Sequence, residues 1–255
     1  MFFFSTIEPV YFILPLIGFI VGLLGTMLGG GGGFIFLPTL TLIIGVPAQV
    51  AVITSLVATL PVCLVGTISH FNKDNINIKM ALIFSAAGLI GALSGVAIAD
   101  RLSSEQLKTA FGIYSLLMAV NIVYNIRHLN NNPKSVFVRM KAPFYGFFAG
   151  TISGALGVSG TAPILAGLFS LNLSVKTAIG TSILIVLSNT LFAAGAYFVV
   201  AEIDMTLVLF LTAGSTIGAI IGPRLLDGIK SDGSNNFKYI YSAVMAILGI
   251  IMILK

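Results

Sequence analysis

The chain has 255 residues, of which 57% are hydrophobic and only 8% are charged. Soluble domains carry about 25% charged residues, so this composition excludes an ordinary soluble protein. We expect an all-α, polytopic membrane protein in a cell membrane of the bacterial inner or plasma membrane type. The formal net charge of +5 does not indicate nucleic-acid binding, because in membrane proteins it reports mainly which loops face the cytoplasm.

The hydrophobic runs predict ten helical segments. In chain order they cover residues 9–28, 34–44, 49–70, 79–99, 105–126, 141–156, 162–171, 175–200, 205–225 and 237–254. The residues before them, Met1–Ser5, lack the basic region of a signal peptide. A bilayer crossing needs about 20 residues, so the segments at 34–44 and 162–171 are too short to cross alone.

The stretch between the first two segments carries the strongest motif. Six of the nine residues from 25 to 33 are glycine, and Gly29–Gly33 are consecutive. Glycine disfavours a helix interior, so one helix should end here and another begin. Broken backbone at membrane depth is tolerated only where protein buries it or a cavity adjoins it. The helix from Phe34 would then point free N–H groups and its positive dipole end at that cavity, which favours an anion.

A second interpretation of the glycines stays open. Small residues also allow membrane helices to pack closely, and the chain would then be a non-transporting subunit of a larger complex. Close packing requires a glycine at about every fourth position, whereas five follow one another here. The consecutive glycines favour the anion site.

The two halves of the chain repeat each other. Residues of the first half recur in the second at an offset of 127 or 128. The matched pairs include Ala51 and Ala178, Thr54 and Thr181, Ser55 and Ser182, and Gly29 and Gly157. We therefore predict two repeats of about five segments each, at residues 1–128 and 141–255, joined by a polar cytoplasmic linker at 129–140. The counterpart of the glycine run is Gly157–Pro163.

Basic residues predict the relative orientation of the repeats. If the repeats are inverted, ten Lys and Arg residues face the cytoplasm, and three face outside, namely Arg101, Lys108 and Lys255. Parallel repeats would give seven and six. The positive-inside rule favours inversion, with the loop at 202–204 and the C-terminus outside. Inverted repeats with broken helices around a midplane site are a recurring transporter design.

The candidate binding residues belong to the two glycine-rich stretches and to the helices that follow them. They are Gly30, Gly31, Gly32, Gly33, Thr54, Ser55, Ser159, Gly160, Thr161, Thr181, Ser182 and Asn189. No Asp, Glu, Lys or Arg lies near the centre of a predicted segment. An anion would therefore be held by backbone N–H groups, hydroxyls and helix N-termini. Asn189 stands out because an amide in hydrocarbon needs hydrogen-bond partners.

The sequence contains few residues of the kinds that catalyse reactions inside a membrane protein. One cysteine, Cys63, lies inside an apolar run, and there are two histidines. These residues give no disulfide framework, no metal cluster and no buried nucleophile–base pair. We expect no enzyme activity, no metal and no cofactor. The expected partners are a small anionic substrate and the lipid bilayer, and a homodimer stays open beside a monomer.

The chain resembles the TauE/SafE family of membrane permeases. The motifs that carry the resemblance are Gly29–Gly33 followed by Pro38, Thr54-Ser55, Gly157–Pro163 and Gly180-Thr181-Ser182. The resemblance implies export of sulfite or a related organosulfonate. Two departures concern the lining of the site. The second glycine-rich stretch has Ser159 and Thr161 where the first has glycine, and Gln49 corresponds to Lys176.

Taken together, the sequence predicts a permease for a small sulfur oxyanion. We expect alternating access of the two inverted repeats around one midplane anion site. The membrane potential would favour outward movement of a monovalent anion by about 2.3 kcal/mol per 100 mV. Export would then need no coupling ion.

Overall fold

The computed structural model describes residues 2–128, 136–171, 173–228 and 233–254. Its ten α-helices, numbered α1 to α10 in chain order, are Leu14–Leu28, Gly33–Pro38, Ala48–Phe71, Ile78–Ala99, Ser104–His128, Val136–Leu156, Thr161–Ser170, Val175–Val200, Met205–Gly228 and Gly233–Leu254. A 3₁₀ turn, Pro9–Ile13, leads into α1, and α2 continues as a π-helical stretch, Thr39–Ile44. Two short strands, β1 at Phe2–Phe3 and β2 at Ile203–Asp204, pair in parallel.

The all-α polytopic fold is confirmed. Six of the described helices are long and apolar enough to cross a membrane, and they lie at Pro9–Met27, Ala48–Phe71, Ile78–Ala99, Ser104–Tyr124, Val175–Val199 and Met205–Leu225. The segments predicted as too short to cross are short helices, α2 with its π-helical continuation and α7. Part of the predicted linker, residues 129–135, lies outside the described residues.

Two helices begin earlier than the sequence predicted. Helix α6 starts at Val136 rather than Lys141 and continues through Pro143, and α10 starts at Gly233 rather than Phe237. Residues 136–140, which the sequence prediction assigned to the linker, are therefore helical.

Local sequence explains several of the other helix ends. Helix α1 ends at Gly29 and α2 begins after Gly32, and both glycines have left-handed φ angles, 76° and 86°. The side chain of Asn77 caps α4 by accepting from the N–H of Met80 at 3.1 Å. Ser174 caps α8 in the same way, since an oxygen side chain at this position satisfies an unpaired N–H group.

Equivalent helices of the two halves make equivalent contacts. Helix α1 packs on α9, and α4 packs on α6. A Cβ added to Gly22 of α1 would meet the carbonyl of Ser215, and one added to Gly150 of α6 would meet that of Gly88. The two contacts are the same after the halves are exchanged, because Gly22 and Gly150 are repeat mates, as are Gly88 and Ser215. Glycines in these long helices therefore serve close packing.

The repeat mates α3 and α8 lie together at the centre. Residues 51–56 of α3 and their mates 178–183 of α8 are all buried. The Cβ position of Gly66 lies 3.2 Å from Ile183, and that of Gly180 lies 3.0 Å from His70. The two helices therefore pass each other in opposite directions.

Candidate functional site

Two glycine-rich segments meet at the centre of the protein. We call Gly29–Gly33 tip 1 and Gly157–Thr161 tip 2, and every residue of both tips is buried. The Cβ position of Gly30 lies 2.8 Å from Oγ1 of Thr161, and that of Gly33 lies 2.9 Å from the carbonyl oxygen of Gly157. The entries to the two short helices, α2 and α7, are therefore in direct contact.

The two tips share left-handed glycines at their first and fourth positions but differ at the third, where Gly31 has a φ of 61° and its mate Ser159 has no positive φ. Gly29 and its mate Gly157 have φ angles of 76° and 65°, and Gly32 and its mate Gly160 have φ angles of 86° and 50°. Side-chain-bearing residues rarely adopt this left-handed conformation. Glycine at these four positions ends one helix and starts the next within a few residues.

The tips differ in how they use their backbone N–H groups. In tip 1 the N–H groups of Gly30 and Gly31 both donate to the carbonyl of Gly25, at 2.8 and 3.2 Å, and that of Gly32 donates to Gly30 at 2.7 Å. In tip 2 the N–H groups of residues 158–162 have no acceptor among the described residues. The N–H groups of Gly30–Gly32 are therefore used within tip 1. Tip 2 provides the cluster of free donors.

The hydroxyls of the predicted site have different surroundings. Thr161 donates to Ser159 within tip 2 at 2.9 Å. Ser182 of α8 donates to the carbonyl of Gly29 at 2.8 Å and so ties tip 1 to α8. Thr181 lies away from the tips, at the connection between α3 and α4, where it accepts from the N–H of Asn77 at 2.9 Å.

Three predicted side chains are buried without a partner. The hydroxyls of Thr54 and Ser55 and both amide atoms of Asn189 make no hydrogen bond within the part of the chain that is described. Each of these residues is fully buried. A buried polar group without a partner destabilises a protein. These side chains are therefore candidates for contact with a polar ligand.

The sequence prediction omitted further polar residues near the tips. The hydroxyls of Ser153 on α6 and Thr190 on α8 are also buried without a partner in the described structure. Ser153 precedes tip 2 by one turn, and Thr190 follows Asn189, so adjacency to residues already selected was the available signal. Cys63 of α3 lies beside Gly31, where it fills space against tip 1.

The site has no charged side chain of its own. The sequence contains no Asp, Glu, Lys or Arg at residues 9–72, which include tip 1 and α3, or at 142–175, which include tip 2 and α7. Hydrogen bonds to ionised groups are stronger than those between neutral groups. An arrangement of neutral donors can therefore hold a small anion but provides no charge to neutralise it.

A cavity of about 240 Å³ opens beside the end of α6. Its lining residues are Gln49, Val50, Ala99, Asp100, Leu107, Tyr197, Ala201 and Glu202. The hydroxyl of Tyr197 donates to the carbonyl of Gly154 at 2.8 Å, and Gly154 precedes tip 2 by three residues. The cavity thus approaches tip 2 from the side where α3 begins.

Comparisons with known proteins agree with this architecture. The family model described as sulfite exporter TauE/SafE matches residues 14–252. The probable membrane transporter protein YdhB of Bacillus subtilis is 27% identical over 217 residues, which are 83% of this chain and 87% of that protein. A probable membrane transporter of Methanocaldococcus jannaschii is 26% identical over 259 residues, 95% of each chain.

A third relative, a probable membrane transporter of Xylella fastidiosa strain Temecula1, is 30% identical over 222 residues, 82% of each chain. No solved structure matches the chain. The family match extends over both tips and all ten helices. The chain is a multi-pass membrane protein that belongs to the TauE/SafE sulfite exporter family of membrane transporters.

Proposed function

We propose that this transporter carries a small sulfur oxyanion, sulfite or an organosulfonate, and binds it between tip 1 and tip 2. The observation that carries the proposal is the run of buried N–H groups at residues 158–162 without an acceptor in the described chain. These groups precede and begin α7, whose first residue, Thr161, follows Gly160 without a side-chain cap. Helix N-termini of this kind favour anions.

Hydrogen bonds from neutral groups supply the binding energy in this proposal. Each bond to a charged group contributes about 1.5–3 kcal/mol, and several such bonds are needed because binding must also offset the free energy lost when the anion is ordered and desolvated. The donors are the N–H groups of tip 2 together with the hydroxyls of Ser55 and Ser159, since the Thr161 hydroxyl already donates to Ser159. Thr54 and Asn189 are further candidates, because their buried polar atoms have no partner among the described residues.

Alternating access of two inverted repeats is the transport mechanism that we propose. The repeats are residues 1–128 and 141–255. The exchanged contacts of α1 with α9 and of α4 with α6 support it, as does the opposite course of α3 and α8. The cavity beside Tyr197 would be the approach to tip 2 from the extracytoplasmic side. In this proposal the opposite approach, where α8 begins, would be closed by the segment whose Asn77 N–H donates to Thr181 at 2.9 Å.

The direction that we propose is export. The membrane potential favours outward movement of a monovalent anion by about 2.3 kcal/mol per 100 mV. Because no ionised side chain belongs to the tips or to the short helices, the anion would carry its own charge across. An imposed potential should therefore accelerate flux in one direction without a coupling ion.

Flux measurements in proteoliposomes test this function. Sulfite, methanesulfonate, sulfate and chloride would be compared at equal concentrations, with and without an imposed membrane potential. We expect sulfite or the sulfonate to move faster than chloride, and the rate to respond to the potential. If no anion moves, and none raises the melting temperature of the purified protein, the chain acts as a non-transporting subunit instead.

A further inference from the structure

We infer that the transported species is a singly charged oxyanion that carries its own O–H donor, with hydrogensulfite as the simplest case, and that Asn189 selects it. The inference rests on the proposed function and names the substrate form within it. It depends on the surroundings of one amide side chain. Its helix, α8, contacts tip 1 one turn earlier, and the amide itself packs on α4.

Asn189 lies midway along α8 and is 0% exposed. Neither its Nδ2 nor its Oδ1 makes a hydrogen bond to any described group. Val186, one turn earlier on the same helix, lies 3.4 Å from the Cβ position of Gly31 in tip 1. The amide is therefore one helical turn beyond the contact between α8 and tip 1.

A series of contacts through α4 and α6 connects the Asn189 amide with tip 2. The Asn189 side chain packs against Gly88 of α4, where an added Cβ would collide with the amide oxygen. Gly88 in turn packs against Gly150 of α6. The neighbouring Ala149 supports Gly160 of tip 2 through its carbonyl group. The unpaired amide thus packs on α4, at the helix whose crossing with α6 adjoins tip 2.

The repeat provides an internal control for this position. The mate of Asn189 in the first half is Val62 of α3, which is also 0% exposed. The fold therefore accommodates an apolar residue of similar size at the equivalent position. An unpaired amide in the interior is destabilising, so packing alone gives no reason for asparagine here. Its polar atoms are expected to pair with a molecule that enters the site.

The chemistry of an amide restricts what that molecule can be. The Nδ2 group donates, as the N–H groups of tip 2 do, but Oδ1 only accepts. A fully deprotonated anion has no donor and would leave Oδ1 buried and unpaired. A monoanion with an O–H group pairs with both atoms. It also brings a single charge into a site that has no cationic side chain, which costs less desolvation than two charges.

Competition against radiolabelled sulfite flux tests the inference directly. Hydrogensulfite and methanesulfinate are both singly charged and pyramidal, but a methyl group replaces the O–H group in methanesulfinate. The measurement is made in mildly acidic buffer, where hydrogensulfite predominates. In the wild-type protein we expect unlabelled sulfite to compete roughly 10- to 150-fold more strongly than methanesulfinate. This ratio corresponds to the free energy of one hydrogen bond to a charged group.

The substitution Asn189→Leu retains the side-chain shape and removes both polar atoms. We expect this ratio to fall to about one, with a melting temperature at or above the wild-type value. Asn189→Val, which copies Val62, should do the same if leucine disturbs folding. Ser188→Ala is the matched control, because the Ser188 hydroxyl is already bonded to the carbonyl of Leu184 at 3.1 Å. This control should keep the wild-type ratio.

Two results would overturn the inference while the proposed function stands. One is a wild-type ratio near one, and the other is a wild-type ratio that persists in both Asn189 variants. Absence of any sulfite flux in the wild-type protein would overturn the proposed function, and the inference with it. A collapse of the ratio in Ser188→Ala would show that any change in this part of α8 alters selectivity, which also contradicts a specific role for Asn189.

Discussion

Substitution of Gly30 by alanine tests whether the contact between the tips is the place where the anion binds. Gly30 is the tip 1 glycine whose Cβ position faces the hydroxyls of tip 2, 2.8 Å from Thr161 and 3.5 Å from Ser159. Its φ angle is not positive, so alanine causes no backbone strain. The new methyl group would project between the two tips.

The size of the effect follows from this geometry. The Oγ1 atom of Thr161 must move to admit the methyl group, and insertion of a methylene-sized group into a packed interior costs about 1–3 kcal/mol. If the tips separate to admit the anion, the methyl group takes up part of that space and the cost falls on binding. It corresponds to an apparent affinity for sulfite that is weaker by roughly 5- to 150-fold.

The assay is the initial rate of sulfite flux at several concentrations, with the melting temperature measured on the same preparations. Gly195→Ala is the matched control, because no atom lies within 4 Å of its Cβ position on α8. It should transport as the wild type does, with stability unchanged or raised by up to about 1 kcal/mol. Wild-type affinity and rate in Gly30→Ala would refute an anion site between the tips.

Three further predictions follow from the same contacts. Gly32→Val should abolish flux while the protein still inserts, because φ is +86° there and the new Cβ would collide with Val21; a fully active variant would contradict the geometry of tip 1. Ser182→Ala removes the 2.8 Å bond to the tip 1 carbonyl and should cost about 0.5–1.5 kcal/mol in unfolding free energy, whereas an unchanged melting temperature would show that this bond contributes nothing. In a Cys63→Ala background, Asn132→Cys should react with thiol reagents only from the cytoplasmic side, and external labelling would reverse the predicted topology.

Much of the fold could be predicted from the sequence. Hydrophobic runs separated by polar or glycine-rich stretches locate the ten helices, since membrane helices must satisfy their backbone groups internally. The consecutive glycines located tip 1, and the offset of 128 located tip 2. Gly29 and Gly157 have matching positive φ angles, and the sequence has glycine at both positions because this conformation favours it.

The details of the site could not be predicted in the same way. The repeat aligns Thr54 with Thr181, but only the structure shows that Thr181 bonds to the connection between α3 and α4, while Thr54 has no partner among the described residues. A glycine run also does not reveal which N–H groups fold back on a nearby carbonyl, as those of tip 1 do on Gly25. These contacts depend on packing between distant segments, which a local pattern does not encode.

The surroundings of Gly32 could not be predicted from the sequence either. The sequence places Gly32 among the candidate binding residues. In the structure its Cβ position faces Val21 of α1 rather than tip 2. Loss of transport in Gly32→Val would therefore result from strain in tip 1. Gly30, which faces Thr161, is the position that probes the binding place itself.

The most direct test of an anion site between the tips is a crystal structure with bound selenite, whose selenium atom is located by anomalous scattering. We predict one strong anomalous peak between Gly30 and Thr161, within hydrogen-bonding distance of the N–H groups of residues 158–162. Selenite competition with sulfite flux in the same preparation would confirm that selenite is a ligand. A competing selenite whose only anomalous peak lies away from both tips would contradict the proposed site.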